Sequence, residues 1–198
     1  MLHHLLHLDV VLFSFINYHH ARFFDGFFTL VTWLGNGWVA IPLTGGALVL
    51  FTPRPLLAKT LLFAAIAGAL TGILNTQVKH HVGRPRPCAY FAAASAPGGF
   101  ARVHVVGEPL QQDSFPSGHS ATAFAAATIL ALVIRKRSIL YYIPAVLVAY
   151  SRVYVGAHFP LDTAGGALLG CCTPVVVIYF FRRRASSPPA VQENPYDQ

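Results

Sequence analysis

Three short stretches of this 198-residue chain combine cations, hydroxyls and imidazoles at spacings suited to handling an anion. The first runs Lys79-His-His-Val-Gly-Arg-Pro-Arg86-Pro87. A lysine offers a point charge and an arginine a planar fork of donors that matches phosphate oxygens, while the X-Pro pairs end a helix and hold the chain extended. The same residues would also suit a juxtamembrane cluster facing lipid headgroups. The second is Phe115-Pro116-Ser117-Gly118-His119-Ser120. At a helix start, Ser117 and Gly118 present a hydroxyl and backbone N–H groups to an anion, aided by the positive end of the helix dipole. His119, one turn or less inside, can give a proton to a leaving group; read as structure alone, Pro-Ser-Gly is an ordinary N-cap and turn. The third is Ser151-Arg152, five residues, His158, three residues, Asp162. If a helix starts near His158, the i, i+4 spacing brings imidazole and carboxylate to one face. A carboxylate bonded to one ring nitrogen fixes the tautomer and leaves the other nitrogen free to attack; a purely structural hydrogen bond is the simpler alternative.

The elements that must carry these clusters belong to a membrane protein. Charged residues make up 11% of the chain and apolar residues 55%, with a mean hydropathy of +0.54, whereas a soluble domain is roughly one-quarter charged. Apolar runs predict five spans, at about Asn36 to Phe51, Leu57 to Val78, Ser120 to Ile134, Ile139 to Tyr154 and Leu161 to Phe181, the first of them expected to begin upstream, since the preceding run is also apolar and is interrupted only by Gly35-Asn36-Gly37. Between residues 8 and 34, polar and charged side chains interleave with Leu and Phe, which favours a helix lying in the interface over a sixth crossing. The expected fold class is therefore all-α, a polytopic transmembrane helical bundle of five spans plus an N-terminal interfacial or sixth helix. The expected division is an N-terminal membrane-associated segment over 1–35, a membrane domain over 36–184 and a disordered Pro-rich tail over 185–198. The N-terminus lacks a basic region before its apolar stretch, so it is expected to remain on the mature protein.

Alternation of five spans places all three clusters on one face. The opposite face takes Thr52 to Lys59, Arg135 to Ser138 and the run from Arg182, which together hold eight of the fourteen Lys and Arg. That basic face is expected to be cytoplasmic, so the clusters face the periplasm or exterior of a bacterial inner membrane. The net charge of +7 is thus explained without nucleic acid, for which no basic face on a soluble module is visible. Lys79, Arg86 and Arg152 around two histidines, with helix-start amides, describe a phosphate pocket. With only seven acidic residues, and Asp162 alone well placed, no carboxylate set stands ready for a divalent cation. Neither metal nor cofactor is expected, and the three cysteines, Cys88, Cys171 and Cys172, fit neither a zinc site nor a disulfide framework. The connection from Arg86 to Ser117 is long enough to be a lid or binding segment.

Together, Lys-x6-Arg-Pro, Pro-Ser-Gly-His and Ser-Arg-x5-His-x3-Asp resemble the signature of the type 2 phosphatidic acid phosphatase family, shared with the vanadium haloperoxidases; the resemblance spans about Leu57 to Phe181. It implies a helical-bundle core in which His158 is the nucleophile that becomes a phosphohistidine and Asp162 orients it. His119 would protonate the leaving oxygen and then activate water, while Lys79, Arg86, Ser117, Gly118 and Arg152 would hold the phosphate. The haloperoxidase branch is soluble, so the implied partners are the bilayer and a membrane lipid phosphate. Undecaprenyl diphosphate is favoured over phosphatidylglycerophosphate, phosphatidic acid and lipid A 1-phosphate. A transporter or scaffold that binds phospholipid without cleaving it is the non-enzymatic alternative. Arg84, His80 and His81 lie outside the signature and carry no expected role.

Overall fold

The computed structural model describes residues 2–93 and 103–185, and every regular element among them is helical. In chain order these are α1 (Leu2–Tyr18), α2 (Arg22–Trp33), α3 (Gly37–Phe51), α4 (Arg54–Val82), α5 (Pro87–Ala93), α6 (Gly118–Ile134), α7 (Tyr142–Tyr154) and α8 (Pro160–Ala185). A single 3-10 turn, Ser138–Tyr141, leads into α7. Local chemistry accounts for the ends. Asn36 caps α3 by accepting from the Trp38 N–H at 2.9 Å. Pro55 occupies the first turn of α4, where its missing N–H is not needed. Gly83, at φ 55°, stops α4 in the left-handed conformation and returns its N–H to the Lys79 carbonyl at 3.0 Å.

Helix α6 is the hub, packed most extensively on α8 and also on α4, α7 and α3. The close approach of α6 and α8 follows from small residues. A Cβ on Gly166 would collide with the Ser117 carbonyl oxygen, and one on Gly170 with that of Ala121. This is the small-x3-small pattern by which membrane helices bring their backbones together. It seats the start of α6 directly against the first turns of α8.

The bundle is apolar outside and polar within. Phe23, Trp38, Leu50 and Ile139 are largely exposed, while Asp9, Asn17, Ser114, Ser117, Ser120, Ser151, His158 and Asp162 are buried. In water such a surface would be a large unsatisfied apolar area; in lipid it is matched to its solvent, and the chain is an integral membrane protein.

The division into spans differs from the sequence-based one. By length and apolarity α4 and α8 qualify as crossings, and α2 with α3 qualifies jointly although the two are bent by 60°. The upstream extension expected of the run at Asn36 to Phe51 is α2, which meets α3 at the Gly35-Asn36-Gly37 interruption with the geometry of a broken span or a re-entrant pair. At 17 residues, α6 is apolar but only about 26 Å long, and the 13 residues of α7 reach about 20 Å, short of the roughly 30 Å core. Gly35 explains the bend: a Cβ there would overlap Val148 Cγ1 at 2.6 Å and the His119 carbonyl oxygen at 2.8 Å, so the elbow needs glycine to sit on α6 and α7. The expected tail beyond residue 185, and residues 94–102 of the long connection, lie outside the described residues.

Candidate active site

The ends of α4, α6, α7 and α8 converge on one end of the bundle. Helix α8 opens with Pro160, and Asp162 in its first turn accepts the Phe159 N–H on Oδ2 at 2.8 Å, the reciprocal half of a capping box. The same oxygen accepts from the Ser114 hydroxyl at 2.5 Å. The other oxygen, Oδ1, accepts from Arg84 Nη1 at 2.6 Å. Asp162 is fully buried, so these donors replace its water shell.

His158 precedes the helix instead of starting it. Its backbone N–H, like that of Ala157, returns to the Arg152 carbonyl, at 3.2 Å and 3.0 Å, and Gly156 at φ 77° makes the turn that permits this. His158 and Asp162 therefore meet because the turn folds back, and not across a helix face. Nδ1 stands 3.7 Å from Asp162 Oδ2, beyond hydrogen-bond range, and 3.5 Å from Ser114 Oγ. The expected direct pair is thus a triad in which the Ser114 hydroxyl lies against both partners. Burial pushes the His158 imidazole down to about 4, Asp162 opposing and the Arg152 and Arg86 charges reinforcing the shift. The ring is neutral at physiological pH. Nε2 faces Arg86 Nη1 at 3.4 Å.

The three expected cations gather around these rings. Lys79, in the last turn of α4, donates to the Asp113 carbonyl at 3.0 Å. Arg86 reaches the same carbonyl at 3.5 Å, and also those of Gln112 at 2.8 Å and Ala157 at 3.2 Å. Asp113 adopts φ 60°, which aims its carbonyl at both cations. Arg152, in the last turn of α7, donates from Nη1 to Thr32 Oγ1 of α2 at 2.8 Å, and its Nε is buried without a partner. A cavity of about 230 Å³ opens beside it, lined also by Cys88, Glu108, Leu110 and Ala157. His119, the second residue of α6, lies within electrostatic reach of Lys79, Arg86, Arg152 and His158.

Ser117 occupies the N-cap position of α6, yet its hydroxyl makes no capping bond and is buried without a partner. Its N–H donates to the Asp162 carbonyl at 2.9 Å, which ties the start of α6 to that of α8. Gly118 packs beside Asn75, whose Nδ2 lies 3.4 Å from where a Cβ would stand. Among the described residues no group of three or more His, Cys, Asp or Glu is placed to share a metal ion.

All eight residues singled out from the sequence are drawn to this end of the bundle. Sequence reasoning missed Ser114, Arg84 and Asp9. Arg84 sits inside the RPRP run but off the signature spacing, and Asp9, which accepts from Arg84 Nη2 at 2.6 Å, is one of only seven acids in the chain. Their charge in an apolar chain was the available signal.

A four-ended convergence of this kind, with three cations, buried serines and a neutral histidine, defines a phosphate-handling helical membrane enzyme. A sequence model of the PAP2 superfamily matches residues 57–186. An undecaprenyl-diphosphatase from Sulfolobus acidocaldarius is 34% identical over 82% of this chain and 73% of its own length. A lipid A 4'-phosphatase from Bacteroides thetaiotaomicron is 28% identical over 86% of this chain and 75% of its own. The crystal structure of Aquifex aeolicus LpxE superposes with a TM-score of 0.71 at 31% identity, covering 87% of this chain and 95% of that one. The chain belongs to the PAP2 superfamily and is a phosphoric ester hydrolase.

Proposed function

We propose that the chain hydrolyses a phosphate ester or anhydride on a membrane lipid through a phosphohistidine, without a metal, at the outer face of the membrane. The observation that carries this reading is the pair of buried donors, Ser117 Oγ and Arg152 Nε, left without partners beside the turn that bears a neutral His158. A buried unpaired donor costs about 1–3 kcal/mol, and phosphate oxygens are acceptors that satisfy both. His158 Nε2 attacks phosphorus in line, the bond to the leaving oxygen breaks, and His119 gives that oxygen a proton. Lys79, Arg86, Arg152, Ser117 and the Gly118 amide hold the remaining oxygens as charge spreads over them. His119 then takes a proton from water, whose oxygen displaces the histidine from phosphorus. Inorganic phosphate leaves and His158 returns neutral. Three fixed cations supply the charge neutralisation for which a metal would otherwise serve.

The chain crosses the membrane five times in this reading, as α2–α3, α4, α6, the 3-10 turn with α7, and α8, with α1 as the additional N-terminal helix. The basic links at Thr52 to Lys59 and Arg135 to Arg137, and the basic end of α8, then share the cytoplasmic face. Undecaprenyl diphosphate is the favoured substrate, supported by the relative from Sulfolobus acidocaldarius. A lipid A phosphate is the second reading, supported by the relative from Bacteroides thetaiotaomicron.

A panel of undecaprenyl diphosphate, lipid A, phosphatidylglycerophosphate and phosphatidic acid, assayed with the purified protein in detergent plus EDTA, tests all of this. Phosphate release that vanishes in His158→Ala and His119→Ala is expected, with the fastest turnover on undecaprenyl diphosphate. Binding without release would leave a carrier or scaffold, and restoration of activity by Mg²⁺ after chelation would overturn the metal-free mechanism.

A further inference from the structure

Arg84 is held in place from both sides of its own backbone. Gly83 ends α4 in the left-handed conformation, Pro85 keeps the preceding residue extended, and the Arg84 carbonyl accepts the Ser114 N–H at 2.8 Å. The side chain therefore leaves the axis of α4 and enters the interface between α1 and α8. There its guanidinium forks, with Nη1 on Asp162 Oδ1 and Nη2 on Asp9 Oδ2, both at 2.6 Å. The Phe159 ring lies against the guanidinium, its centroid 4.3 Å from Cζ. Asp9 spends its second oxygen on the Leu161 N–H at 2.7 Å, an amide in the first turn of α8. Both carboxylates are buried, at 2% and 0% exposure.

We infer that Asp9 and Arg84 are positioning residues for the hydrolysis proposed above, and that α1 is thereby an integral part of the active site. Desolvating three charges costs more than an apolar contact of equal volume, so stability alone does not account for the triad. Its geometry does account for the orientation of Asp162. Arg84 occupies Oδ1 and so turns Oδ2 toward Ser114 and His158, while Asp9 pins both the far end of that guanidinium and the helix turn from which Asp162 projects. The carboxylate plane is fixed at once from α1, from the turn that follows α4 and from α8. A neutral His158 that becomes cationic during attack then meets a carboxylate already aimed at it.

The inference rests on the proposed function, and the test separates the two. Full-length protein in detergent is assayed for kcat and KM on undecaprenyl diphosphate, for competitive inhibition by inorganic phosphate and for melting temperature, in the wild type and in His158→Ala, Arg84→Met, Arg84→Lys, Asp9→Asn and the Asp9→Asn/Arg84→Met double variant. Arg84→Met is expected to lose between about 10- and 100-fold in kcat, the penalty of a displaced reacting group. KM and phosphate inhibition should stay within about twofold, because the phosphate ligands are untouched. Arg84→Lys should recover only part of the loss, since one ammonium cannot fork to two carboxylates. Asp9→Asn should lower kcat less than Arg84→Met, and the double variant no further than Arg84→Met alone, because both act through one network. If Arg84→Met and Asp9→Asn retain wild-type kcat while His158→Ala is dead, the positioning role is overturned and the reading of function stands. Parallel losses of kcat, phosphate affinity and melting temperature across all the variants would reduce the triad to a structural staple. A wild type that releases no phosphate from undecaprenyl diphosphate, lipid A, phosphatidylglycerophosphate or phosphatidic acid would sink the function and the positioning role together.

Discussion

Burying an imidazole in a protein interior favours its neutral form, and for His158 this has a consequence in pH. With its ordinary value of 6.5 pushed down to about 4, the ring holds its lone pair throughout the range in which a free histidine would titrate. The acid limb of kcat/KM governed by this group should lie near pH 4 and not 6.5; a limb centred at 6.5 in the free enzyme would contradict the burial argument. Between 4 and 6.5 the unfolded chain binds the proton that the folded one refuses, so this contribution to stability is complete above 6.5 and declines as pH falls toward 4. Ser114 should also bear on the rate. Its hydroxyl bonds Asp162 at 2.5 Å and lies 3.5 Å from His158 Nδ1, so Ser114→Ala should lower kcat by roughly tenfold, the worth of one oriented hydrogen bond in the transition state. Steady-state kinetics with kcat unchanged would remove the hydroxyl from the mechanism.

At the scale of helices, the placement of Ser117 against Asp162 depends on how closely α6 and α8 approach. Gly166→Ala inserts a methyl into the Ser117 carbonyl, and overpacking of this kind costs about 1–3 kcal/mol. A lower melting temperature together with reduced turnover is expected. Gly72→Ala on α4 is the control, because a Cβ there meets nothing within 4 Å; equal damage from both substitutions would contradict the packing argument. The elbow between α2 and α3 acts on the site in the same way, by seating Gly35 on His119 and presenting Thr32 to Arg152. The Gly-Asn-Gly interruption is plain in the sequence, but the 60° angle is set by what the elbow packs against.

For the molecule as a whole, the site-bearing ends of α4, α6, α7 and α8 lie opposite the basic links, and orientation is open to direct measurement. Glu108 is exposed on the site side. In a variant with Cys88, Cys171 and Cys172 replaced by serine, Glu108→Cys should react with an impermeant thiol reagent added outside intact cells. Reaction only in inverted vesicles would reverse the topology.

Composition, apolar runs and three motifs carry the class of solvent, the helical architecture and the family, and they name the eight candidate site residues. Those signals are local or periodic: an apolar run reports a membrane helix wherever it packs, and Ser117-Gly118-His119 are neighbours in the chain. The 60° bend between α2 and α3, the meeting of His158 and Asp162 across Ser114, and the bridge from Arg84 to Asp9 and Asp162 come from packing between helices distant in the chain. Those contacts link residues 75 and 48 positions apart. The physical reason is that the environment of a buried charge is assembled from whichever helices converge on it, and neither composition nor spacing along one helix records that convergence.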